Sequence, residues 1–96
     1  MKIITVCGMG IGTSALLRMT TVNALRALGV EHQCEVLSAD IGTARTVATP
    51  LDVVFTSAAV AQRMGPVPAR VVIIRDSTNL AEITAHVADL ASPRAR

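Results

Sequence analysis

Hydrophobic and polar positions come in blocks along this chain, and four short apolar runs stand out: Ile3 to Cys7, Cys34 to Leu37, Leu51 to Phe55 and Val71 to Ile74. Segments with helical spacing lie between them, which is the pattern of βαβ units around a parallel sheet. From Ser14 to Leu28 the positions Leu17, Thr21, Ala24, Leu25 and Leu28 form one stripe, and Gly29 stands where a helix commonly ends. Around His32 to Ser38, Gln33 and Glu35 alternate with Cys34 and Val36, as expected of an edge strand with one wetter face.

The stretch Asp40 to Val47 reads as a short helix weakened by Gly42 and β-branched residues, and Pro50 closes it. Val53-Val54-Phe55 forms a strand ending at Thr56-Ser57, whose hydroxyls can cap a helix over Ala58 to Met64; Gly65-Pro66-Val67-Pro68 is a loop. Asn79 and Glu82 have capping-box spacing, and Leu80, Ile83, Val87 and Leu90 share one face of a last helix. Four strands joined by right-handed crossovers predict an α/β three-layer sandwich, Rossmann-like, with a four-stranded parallel sheet in the order 2-1-3-4. The winding then reverses between strands one and three, and ligands bind there, beyond the strands' carboxyl ends. Cys7 and Thr56-Ser57 are expected to be neighbours at that point.

With 96 residues, 51% of them hydrophobic, the chain fits one domain over residues 1–91, followed by a flexible tail at 92–96. A net charge of +2 without a basic run argues against nucleic acid, and Phe55 as the sole aromatic leaves nothing to stack bases on. No apolar stretch approaches the ~20 residues of a membrane helix, and the first strand is too short for a signal peptide. A cytoplasmic protein with Cys7 and Cys34 as thiols is expected. Cys34 reads as core, the methionines as core filler apart from Met9, and His32 and His86 as isolated, without metal-ligand spacing; no metal and no cofactor are predicted.

The chemistry concentrates in Cys7-Gly8-Met9-Gly10-Ile11-Gly12-Thr13-Ser14. Its glycines let backbone N–H groups crowd around an anion ahead of a helix, which describes a phosphate-sized cup. A dinucleotide fingerprint requires G-x-G-x-x-G where this chain has G-x-G-x-G, and a nucleotide-triphosphate loop requires a lysine where Gly12 stands. A cysteine before a helix N-terminus feels oriented amides and the positive end of the helix dipole, which favours the thiolate and makes Cys7 a candidate nucleophile. The competing description of Cys7 is a small buried residue ending a strand, and that of the glycines a tight turn without a ligand. Phosphatases of the Cys-x5-Arg type clamp the phosphoryl group with a guanidinium, but Thr13 occupies that position here. The missing clamp favours relay of the phosphoryl group over its hydrolysis.

A short first strand ending in Cys-Gly-x-Gly-x-Gly-Thr-Ser, followed by an amphipathic helix, resembles the cytoplasmic IIB components of the bacterial phosphoenolpyruvate-dependent sugar phosphotransferase system. The ascorbate-type branch is nearest and the galactitol type next, over roughly residues 2 to 91. The resemblance implies a phosphocysteine-forming phosphotransferase: Cys7 accepts a phosphoryl group from a phosphohistidine of a IIA partner and hands it to a sugar held by a membrane IIC transporter. It implies phosphate binding by Gly8, Met9, Gly10, Ile11, Gly12, Thr13 and Ser14, while exposed Met9 and Ile11 would help dock the partners. A low-molecular-weight phosphatase or an arsenate-reductase-like thiol enzyme is the alternative.

Overall fold

The computed structural model of the chain describes residues 2–6, 10–76 and 78–91. In chain order the elements are β1 (Lys2–Val6), α1 (Gly10–Ala27), β2 (Glu35–Ala39), α2 (Ile41–Val47), β3 (Val53–Thr56), α3 (Ala58–Met64), β4 (Arg70–Ile73) and α4 (Leu80–Ala91). The strands form one all-parallel sheet in the order β2-β1-β3-β4, the topology that the hydrophobic pattern predicts.

Each inner strand must bury both faces, so helices cover the sheet on both sides. Ile3, Val53, Phe55 and Val72 point to one side, where Leu17, Ala24 and Leu25 of α1 and Ile83 and Val87 of α4 complete a core. On the other side Ile4, Val6 and Val54 meet Ala44 of α2 and Val60 and Met64 of α3. The outer strands are only half covered: in β4 Val72 is buried while Val71 and Ile73 are exposed, and in β2 Leu37 is exposed.

Helix α1 ends in a Schellman motif, with Gly29 at φ 70°, its N–H donating to the Arg26 carbonyl at 3.1 Å and that of Val30 to the Leu25 carbonyl at 3.0 Å. Leu28 therefore lies past the last helical turn and is exposed rather than on the buried stripe. Leu80, in the first turn of α4, is likewise exposed, whereas Ile83 and Val87 are buried as predicted. The second strand starts at Glu35, later than its sequence alternation suggests, because residues 31–33 form a turn. Cys34 thus precedes β2 instead of lying within it, though it still packs against the core; partial burial pushes its thiol pKa up, the N-terminal charge opposing.

Leu51 does not belong to β3 either. A turn over residues 49–52, closed by the Asp52 N–H donating to the Thr49 carbonyl at 2.9 Å, leaves Leu51 83% exposed and brings the Asp52 carboxylate onto the Thr49 N–H, also at 2.9 Å. Lys2 at the start of β1 pairs with the same carboxylate at 3.7 Å. Burial by itself would raise the Asp52 pKa, but the Thr49 bonds and Lys2 outweigh it and hold the carboxyl below its usual range. A carboxyl with a depressed folded-state pKa lends stability that is complete above the ordinary Asp value of about 3.9 and fades as pH falls through the folded-state value. Asp52→Asn is accordingly expected to lower unfolding stability by about 1–3 kcal/mol at neutral pH. Urea unfolding should show that deficit shrinking as both proteins are acidified.

Candidate functional site

The reversal of winding falls between β1 and β3, as the topology requires: α1 leaves β1 on one face of the sheet and α3 leaves β3 on the other. Val6, the last residue of β1, is in register with Thr56, the last of β3. The fully buried Thr56 hydroxyl donates to the Val6 carbonyl at 2.8 Å, a link across 50 positions of sequence. Thr56 does not share in capping the next helix as the sequence suggests; that role belongs to Ser57, whose hydroxyl accepts from the Val60 N–H at 3.2 Å.

Cys7, Gly8 and Met9 lie outside the described residues. Gly10, Ile11, Gly12, Thr13 and Ser14 do not form a loop ahead of the helix; they are the first residues of α1, which begins four positions earlier than the stripe from Ser14 suggests. Glycines lower helix propensity in a helix interior, but a first turn is held partly by whatever its free amides bind. The first N–H groups of a helix have no partner within it, so residues 10–13 present a helix N-terminus where the sequence suggests a loop.

The other helices that start on this rim are closed by their own side chains. Asp40 caps α2, accepting from the Thr43 N–H at 2.7 Å, and the bonds from Thr43, that to the backbone first, hold its carboxyl below the usual range. Asn79 caps α4 by accepting from the Glu82 N–H at 3.0 Å. Glu82 does not complete the predicted capping box; it reaches back to the Arg75 and Asp76 N–H groups at 2.8 and 3.1 Å and clasps the β4–α4 connection onto the helix. Asp76 is itself held ionised by the Thr78 hydroxyl and N–H. Carboxylates therefore sit at the starts of α2 and α4, whereas the described capping group of α3 is a neutral hydroxyl.

A surface depression of about 610 Å³ lies beside α4, lined by Ile73, Arg75, Asp76, Asn79, Glu82 and His86. His86 is not isolated on a polar face: its ring meets Phe55 edge-on at 6.4 Å between centroids, and Nε2 is 4.0 Å from Glu82. The depression belongs to β4, two strands away from β1. Sequence spacing could not reveal it, because its polar groups converge only once β4 and α4 pack. Among the described residues no group of three or more His, Cys, Asp and Glu could hold a metal ion, and no helix is long and apolar enough to cross a membrane.

A family model described as PTS system, Lactose/Cellobiose specific IIB subunit, matches residues 2–88. No curated protein matches the chain. The family match agrees with the resemblance drawn from the glycine-rich segment at the level of the IIB subunit; it does not extend to the ascorbate or galactitol branch. If the rim is organised by its caps, Ser57→Ala should destabilise the fold by about 1 kcal/mol. Faster amide exchange at Val60 would localise that loss to the start of α3.

Proposed function

Because this chain belongs to the family of IIB subunits of the phosphotransferase system, we propose that it carries the phosphoryl group on Cys7. As a IIB component it is a phosphoryl-relay protein of sugar uptake, with phosphotransferase activity. The observation that most supports Cys7 as the carrier is the position of α1: it begins at Gly10, four positions after β1 ends at Val6, beside the switch point and away from the carboxylates that cap α2 and flank α4.

In the first step the Cys7 thiolate attacks phosphorus of a phosphohistidine on a IIA partner; an S–P bond forms, the P–N bond breaks and the imidazole nitrogen takes a proton. In the second step a hydroxyl of a sugar bound to a membrane IIC partner attacks the same phosphorus. An O–P bond forms, the S–P bond breaks, the thiolate returns and the hydroxyl proton is released. The amides of Gly8 to Thr13 receive the phosphoryl oxygens throughout, and Ser14 supports the start of the helix. The relay operates on the cytoplasmic side, within a domain spanning residues 1–91.

The glycine-rich motif favours an ascorbate- or galactitol-type acceptor, while the family description names lactose and cellobiose. Incubation with phosphorylated IIA is expected to add one phosphoryl group, about 80 Da, to the intact protein and nothing to Cys7→Ser. Undiminished labelling of Cys7→Ser would refute the carrier assignment. Chasing the phosphorylated protein with each of the four sugars, in membranes holding the IIC partner, identifies the acceptor as the one that discharges it.

A further inference from the structure

We propose that Thr56 positions the Cys7 nucleophile: its buried hydroxyl holds the Val6 carbonyl, and with it the peptide that leads from β1 into Cys7. The inference rests on the reading of Cys7 as the reacting group. The Val6 carbonyl carbon is bonded to the Cys7 nitrogen, and the peptide unit is planar, with about 18–20 kcal/mol opposing rotation. A bond that holds the oxygen therefore holds the plane in which that nitrogen must lie.

The anchor is rigid. Thr56 is 0% exposed and in register with Val6, and its own carbonyl accepts from the Ile74 N–H at 2.7 Å, which ties it to β4 as well. Packing does not call for a hydroxyl here. The neighbours on this face of the sheet, Ile4, Val6 and Val54, are aliphatic, and valine is close to threonine in size but lacks the hydroxyl. What threonine adds is one donor, directed at the carbonyl that precedes the nucleophile. Accepting that bond also polarises the peptide, making its N–H a stronger donor toward an anion.

The test compares Thr56→Val and Thr56→Ser with the wild type. Iodoacetamide alkylation of Cys7 is followed against pH by peptide mass, which separates it from Cys34, and phosphoryl uptake from phosphorylated IIA is timed. Thr56→Val is expected to move the Cys7 alkylation profile to higher pH and to slow uptake roughly 10- to 100-fold. Thr56→Ser, which keeps the hydroxyl, is expected to restore both. A folded Thr56→Val with the wild-type profile, or a Thr56→Ser that fails to restore it, overturns the proposal. Should Thr56→Val not fold, NMR of the wild type decides: a protected Thr56 hydroxyl proton coupled to the Val6 carbonyl carbon supports the proposal, and its absence overturns it. A shifted profile in a protein whose Cys7→Ser form is still phosphorylated supports the positioning of Cys7 and refutes only its role as carrier.

Discussion

The pairing of β1 with β3 is the constraint from which the rest of this molecule follows. These strands are adjacent in space yet separated by β2 in sequence, in register from Ile3 opposite Val53 to Val6 opposite Thr56. Once they pair, right-handed crossovers leave little freedom: α1 must cover one face and α2 and α3 the other. The two cores are then separate problems, solved by alternate residues of the same strands. The pairing also fixes where chemistry can occur, since the helices after β1 and β3 depart on opposite sides and open a crevice between their first turns.

Local charge sharpens what topology provides. Every strand in such a sheet points its carboxyl end, and the start of the next helix, toward the same rim, so four positive helix ends would compete for an anion. Asp40 and the Asp76–Glu82 cluster remove two of them by setting carboxylates there. The start of α3, capped by the neutral Ser57 hydroxyl, differs from both in carrying no carboxylate cap.

Most of the frame was legible in the sequence because it depends on local signals. Ser57 and Gly65 bracket α3 as their types suggest, and the valines of β3 and the Ile83–Val87 pair announce the sheet and one helix face. Features that need a distant partner were not legible. Glu82 has the spacing of a capping box, but the amides it binds come from a connection whose course depends on β4. Leu51 looks like strand until the Thr49–Asp52 turn removes it, and Leu28 looks like stripe until the Schellman motif ends the helix first. The start of α1 differs from the sequence expectation for a related reason: glycine signals a loop when propensity is summed locally, yet Gly10 and Gly12 stand in the first turn of the helix. Cys7 to Met9 lie outside the described residues, and the proposal that Cys7 is the carrier draws on the sequence motif together with family membership.

Phe55 carries a consequence for watching this protein at work. It is the only aromatic side chain other than histidine, and it sits wholly within the core beneath α1 and α4, edge-on to His86. The protein therefore contains a single native chromophore of side-chain packing, placed in one of its two cores. Loosening beneath α2 and α3 would leave near-ultraviolet dichroism unchanged, so agreement between that signal and backbone dichroism becomes a genuine test of whether the two halves melt as one cooperative unit.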